Sequence, residues 1–249
     1  MRQLEVEAAI RRLLGASPAS YGYRRIHALL KRHGLACNPK TVWRVMRGRG
    51  WLATGRRSRA RDGRRHEGQV RVAEPNWRWA SDITGIRAWN GQKGRLAIMI
   101  DCADRMVLAW PFARRITADD LAEMLQEAVF RRFGEARADA QGIEFLSDNG
   151  PKYTLHRFRP FVRAMGLIPC HTPRRSPESN GLAEAFFGSF KRDYVSQACL
   201  ETFEVVRRQL PQWIEHYNQQ APHSALGMRA PAEFYAEWIV KNKTRPVQN

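Results

Sequence analysis

Two short pieces of the chain, Glu144-Phe145-Leu146-Ser147-Asp148-Asn149-Gly150 and Ser176-Pro177-Glu178-Ser179-Asn180-Gly181-Leu182-Ala183-Glu184-Ala185-Phe186-Phe187-Gly188-Ser189-Phe190-Lys191, decide the reading of the rest. The first is a brief apolar run closed by an acid and the turn pair Asn149-Gly150, which predicts a buried strand holding Asp148 at its rigid end. The second predicts a helix. Spacings of four, four and three put Asn180, Glu184, Gly188 and Lys191 on one face, while Ala183, Phe186, Phe190 and Tyr194, with Phe187 at the boundary, form the face that packs on a core. Two carboxylates on rigid elements, aimed away from the apolar side, can hold a hard cation.

Working outward, 249 residues with 43% hydrophobic content suffice for one large domain and a small one. No apolar run is long enough to span a bilayer, and the first residues, with Glu5, Glu7, Arg11 and Arg12, do not read as a signal peptide. The expectation is a soluble cytoplasmic protein without a membrane partner. Cys37, Cys102, Cys170 and Cys199 are scattered without a C-x-x-C pair, which argues against a zinc knuckle or a disulfide framework. The net charge is +18, and residues 1 to 75 hold 18 Lys and Arg against 5 Asp and Glu. A basic excess concentrated in the first third points to a polyanion, because neutralising phosphates releases counterions and supplies affinity without sequence readout.

In chain order, residues 3 to 14 predict a short helix, and Tyr23 to His33 a second, with Ile26, Leu29 and Leu30 on one face and Gly34 placed to end it. Asn38-Pro39 is a cap followed by proline at the first helical position. Val42, Val45 and Met46 line the buried side of this third helix, and Lys40, Arg44 and Arg47 its other side. This is the pattern of a helix-turn-helix module; a three-helix structural cap with solvated arginines is the alternative. Residues 55 to 71 lack apolar periodicity and carry seven arginines, Arg56 and Arg57 first among them. They read as a linker that either orders along a phosphate backbone or is a solvated tether. From Pro75 the texture changes. Trp79 to Thr84 alternates, Leu96 to Ile100 is continuously apolar, and Met106 to Trp110 is a third strand, with Asn90-Gly91 and Ala103-Asp104-Arg105 as connections. A helix over Thr117 to Phe133 follows, then the strand ending at Asp148, a helix near Leu155 to Met165, a strand at Leu167 to Cys170 and the Glu184 helix. That order resembles the ribonuclease H-like fold. A final helix from Thr202 to Asn218 precedes a Pro-rich tail. The expected domains are a helical unit over 1–54, a linker over 55–74, an α/β core over 75–200 with a mixed five-stranded sheet, and a C-terminal helix and tail over 201–249.

Trp79-Ala80-Ser81-Asp82-Ile83-Thr84, then Ser147-Asp148-Asn149-Gly150, then Ser176 to Glu184 with Lys191 seven residues on, resemble the DDE core of retroviral-integrase-like bacterial transposases. Thirty-five residues separate Asp148 from Glu184. This spacing, with His216-Tyr217-Asn218 and Pro222-His223-Ser224-Ala225-Leu226-Gly227, is similar to the insertion sequence three family, specifically its second-reading-frame protein, over nearly the whole chain. The resemblance implies Asp82, Asp148 and Glu184 as catalytic and metal-ligating residues, two Mg²⁺ ions with Mn²⁺ as substitute, and cleavage and strand transfer at element ends. It further implies element-end and target DNA as partners, a homo-oligomer on DNA, an upstream-frame partner protein, and a nucleoid-associated enzyme of the bacterial cytoplasm.

The chemistry explains the residue types. Three clustered carboxylates repel one another unless a cation neutralises them, and two metals about 3.5–4 Å apart suit an in-line phosphoryl transfer with no covalent protein intermediate. Glu178 competes with Glu184 but reads as a helix N-terminal charge. Asp101 and Asp104 read as turn residues, Lys191 and Asn180 as DNA contacts, and His171 and His223 as structural or DNA-backbone residues. A nuclease of the same fold and a DNA-occupying regulator of transposition are the alternatives.

Overall fold

The computed structural model describes residues 2–53, 72–135, 140–148, 150, 153, 158–171 and 181–243. Arg56, Arg57, Asn149, Glu178 and Asn180 lie outside the described residues. The described chain forms two units, one holding the N-terminal helices with residues 191–198 and 222–229, the other the remainder.

In the first unit, α1 (Arg2–Ala16), α2 (Tyr23–Arg32) and α3 (Pro39–Gly48) follow the expected pattern. The Asn38 side chain accepts from the Lys40 amide, Pro39 takes the first turn, and Val42, Val45 and Met46 are buried. Gly34, at φ +75°, supplies the left-handed turn after α2. This unit is discontinuous in sequence. Asp193, buried, accepts from Ser20 Oγ at 2.5 Å and Arg25 Nη1 at 2.7 Å, and Arg32 Nη2 donates to the Met228 carbonyl at 2.8 Å. Arg192, Ser20 and Arg25 hold the Asp193 carboxyl below the usual carboxylate range against the cost of burial, and burial pushes the Tyr21 phenol up to about 12.

The second unit is built on β1 (Arg78–Arg87), β2 (Lys93–Asp101), β3 (Val107–Ala109), β4 (Phe112–Ala113), β5 (Glu144–Ser147) and β6 (Ile168–His171). The sheet order is β3-β2-β1-β5-β6, with β1, β2 and β3 antiparallel and β1, β5 and β6 parallel. The two-residue β4, absent from the sequence expectation, pairs with β2. Gly94 makes room for it: a Cβ there would sit 2.1 Å from the Phe112 ring. The alternation expected over Trp79 to Thr84 fails at its start, where Trp79, Ala80 and Ser81 are all fully buried. Neighbouring residues point to opposite faces, so both faces of this middle strand are covered there.

The helices are α4 (Ala118–Phe133), α5 (Phe158–Ala164), α6 (Gly181–Asp193), α7 (Phe203–Gln219) and α8 (Pro231–Lys243). Thr117 and Asp120 form a capping box that starts α4, whose Leu121, Met124, Leu125, Ala128 and Val129 join Trp79, Met99 and Phe145 in the core. On α6 the expected apolar face is buried, with Phe186 edge-on to Tyr217 and Phe190 edge-on to Trp213 of α7. Asn218 is buried at the sheet edge: its Oδ1 accepts from the Val107 amide and its Nδ2 donates to the Val107 carbonyl, both at 2.9 Å. The segment expected to be a Pro-rich tail contains α8. Pro231 occupies the first turn rather than breaking a helix, and Glu233 caps it by accepting from the Ala230 amide at 2.7 Å.

Candidate active site

Asp82 lies in β1, half-buried, with its Oδ1 accepting from the Ile83 amide at 2.7 Å. Asp148 follows β5 directly and is exposed, accepting from the Gly150 amide at 2.9 Å. Ala80 pairs with Leu146 at the end of the parallel β1–β5 ladder, and Asp82 and Asp148 each follow that last pair by two residues. Neighbouring strands lie about 4.8 Å apart. The fully buried Tyr153 hydroxyl lies 2.8 Å from Ser81 Oγ, and its phenol is pushed far up first by burial, then by the negative charges of Asp148 and Asp82. Tyr153 thus stays neutral. Its ring packs against Phe145 and Phe158.

Glu184 is exposed on the first turn of α6, whose other face is anchored by Phe186 and Phe190. Among the described residues no three His, Cys, Asp or Glu side chains form a metal-ligating cluster. The structure places Asp82 on β1, Asp148 just after the adjacent parallel strand β5, and Glu184 on a separate element, α6. Lys191, half-buried, follows Glu184 by two helical turns. Lys40, Arg44 and Arg47 are exposed on α3, and the Arg47 guanidinium lies 5.0 Å from the Trp43 ring centroid.

Asp101 and Asp104 are turn residues, as expected, but also much more. Both are fully buried with Arg132 of α4, whose Nη2 lies 2.9 Å from Asp104 Oδ2 and 3.5 Å from Asp101 Oδ2. Asp101 accepts from the amides of Asn76, Ala103 and Asp104 and from the Trp79 indole. Tyr235 of α8 covers the Arg132 guanidinium at 3.9 Å. Burial and Asp101 push the Asp104 carboxyl up to about 7, against the pull of Arg132. Nothing local in the sequence announces this group, whose members come from the β2 end, α4 and α8.

A mixed sheet with one acid inside its middle strand, a second just past the end of the adjacent parallel strand and a third on a flanking helix fits the ribonuclease H-like core of a polynucleotidyl transferase. Residues 72–177 and 166–231 match integrase core domain families, and residues 2–59 match an HTH-like domain. The chain is 38% identical over 236 residues to the transposase InsD for insertion element IS2D of Escherichia coli (strain K12), covering 92% of this chain and 78% of that protein. It is 44% identical over 176 residues to an insertion element IS136 uncharacterized protein of Agrobacterium tumefaciens (strain T37), covering 70% of this chain and 90% of that one. A chain of the simian T-cell lymphotropic virus intasome superposes with a TM-score of 0.54 at 17% identity, over 90% of this chain and 72% of that one, a likeness of fold. The chain belongs to the insertion sequence three family of DDE transposases, enzymes with an integrase catalytic core and an HTH-like domain. Its partner is DNA, and no described helix is long and apolar enough to cross a membrane.

Proposed function

We propose that Asp82, Asp148 and Glu184 are the catalytic carboxylates of this transposase and hold two divalent cations, Mg²⁺ or Mn²⁺, during cleavage and strand transfer at element ends. The observation that carries the reading is the placement of Asp82 on β1 and of Asp148 directly after the adjacent parallel strand β5, with Glu184 exposed on α6. The donor set fits: it offers hard carboxylate oxygens only, without the thiolates or imidazoles that favour softer metals. Bound there, the cations would supply activation of a water or a DNA 3′-hydroxyl and neutralisation of the leaving oxygen. The chain's own residues do the rest. The adjacent strands β1 and β5 carry Asp82 and Asp148, the neutral Tyr153 supports them without adding charge, and Glu184 completes the ligand set from α6. Lys191 and Asn180 contact substrate phosphates. Lys40, Arg44 and Arg47, with Arg56 and Arg57 of the linker, carry duplex affinity from a helical domain over 1–54. The working form is a homo-oligomer on DNA in the bacterial cytoplasm, joined by an upstream-frame partner.

Replacing Asp148 by Asn keeps shape and removes one charge from the ligand set. Cleavage and joining of element ends in Mg²⁺ should fall by about a thousand-fold, comparable to losing a main electrostatic stabiliser of the transition state, while DNA affinity stays unchanged. Wild-type protein that binds element ends yet neither cuts nor joins them, with the upstream partner supplied, would overturn the catalytic reading in favour of a DNA-occupying regulator.

A further inference from the structure

The β1–β2 hairpin carries charge that the catalytic site does not use. In the ladder Arg87 faces Lys93 and Gly85 faces Arg95, and Arg95 also faces Ala113 of β4. Side chains alternate along a strand, so these positions share one face, and Ile86, Ala88, Gly94 and Leu96 between them are buried on the other. Arg87, Lys93 and Arg95 are exposed, as are Arg114 and Arg115 just beyond β4. None of the five enters an ion pair among the described residues. No acid occurs from Gly85 to Arg95 or from Trp110 to Ile116. The neighbouring acids are Glu201, whose carbonyl accepts from the Asn90 amide, and Glu204, which pairs with Arg207.

At the hairpin tip Trp89 is 68% exposed. Singly exposed apolar side chains are ordinary, but this tip is held on both sides. The Ala88 amide donates to the Gln92 carbonyl at 2.8 Å, the Trp89 amide to the Leu200 carbonyl at 2.7 Å, and the Phe203 amide to Gln92 Oε1 at 2.9 Å. A backbone already held by these bonds lowers the ordering cost when a partner arrives. A cationic face whose own strands carry no acid, ending in a presented indole, has the composition of a nucleic-acid contact surface.

We propose that this face docks the backbone of duplex DNA without reading its sequence, Arg87, Lys93 and Arg95 neutralising phosphates and Trp89 lying against the sugar edge. The proposal rests on DNA as the partner but not on the three acids. The test uses the full chain and random-sequence duplex lacking element ends, without divalent metal, with affinity followed by fluorescence anisotropy from 50 to 200 mM salt. Losing three phosphate contacts in R87Q/K93Q/R95Q should reduce the slope of log affinity against log salt by between about two and three. R87K/R95K should retain it, since the charge suffices. A benzoylphenylalanine cross-linker at position 89 of the otherwise wild-type chain should attach to the duplex, a readout independent of how the triple variant folds. An unchanged slope, or an absent cross-link, overturns the proposal. So does a triple variant that keeps its DNA slope but loses anionic phosphatidylserine vesicles, which would make the face a lipid contact. Asp148→Asn should keep the full slope, so failure of the catalytic reading and failure of this one are read separately.

Discussion

Asp101 and Asp104 have no exposed surface and share the guanidinium of Arg132, itself covered by Tyr235. Asp148 and Glu184, in the same unit, are exposed and make no ion pair with any described residue. The same side-chain chemistry thus serves two ends. Where the protein supplies its own cation, the acids are architecture, tying the end of β2 to α4 and α8. Where it leaves carboxylates at a strand end and a helix face, the charge remains available to something that binds. Glu144 and Asp148 show the contrast within one strand and its next residue, since Glu144 pairs with Arg78 and Asp148 does not.

The largest stability effect should come from Arg132→Leu, which leaves two buried acids without their cation and costs about 3–5 kcal/mol. That corresponds to roughly 10 °C in thermal midpoint for a chain of this size. A midpoint within a degree or two of wild type would show that the cluster is not structural. Next is a pH effect. Folding raises the Asp104 carboxyl from its ordinary 3.8 to about 7, so between those values the folded protein holds a proton that the unfolded chain has released. Stability therefore falls as pH rises through that window, by at most about 1.4 kcal/mol per pH unit, the slope of one proton. Asp104→Asn should flatten that fall in urea midpoints measured from pH 4 to 7, and a variant with the wild-type slope would assign the titration elsewhere.

Tyr153→Phe keeps the ring against Phe145 and Phe158 and removes only the hydroxyl, so it should cost about 1 kcal/mol. Ser81→Ala should cost a similar amount, and the double variant little more than either; full additivity would show that the two hydroxyls do not act as a pair. The smallest stability change belongs to Glu184→Gln, within about 0.5 kcal/mol as for other exposed positions. Strand transfer should nevertheless be lost. Retained joining would move the third carboxylate elsewhere and dissolve the contrast between the clusters.

Local signals made much of this legible. Asn38-Pro39 with Val42, Val45 and Met46 gave α3, Thr117 with its apolar stripe gave α4, and the order of strands and helices gave the sheet. The strand before Asp148 was readable because a short apolar run marks it. The buried acidic cluster was not, because Arg132 lies 28 residues from Asp104 and long-range ion pairs leave no periodic trace. Tyr153 escaped for the same reason, its partner Ser81 being 72 residues away. The α8 helix was missed because Pro231 reads as a breaker when it stands among other tail residues, although proline in a first turn followed by Glu233 was the available clue.

The bidentate amide of Asn218 has a consequence in time. It occupies the backbone donor and acceptor of Val107, standing in for a neighbouring strand at an edge where another chain could add. The two residues are 111 positions apart. At a synthesis rate of about 5–20 residues per second, Val107 leaves the ribosome roughly 6 to 22 s before its partner. Through that interval the nascent sheet has an open border, and chains translated side by side on one message can pair there. The amide that seals the finished enzyme thus arrives late, and α7, which carries it, limits how early in translation the core becomes safe from its neighbours.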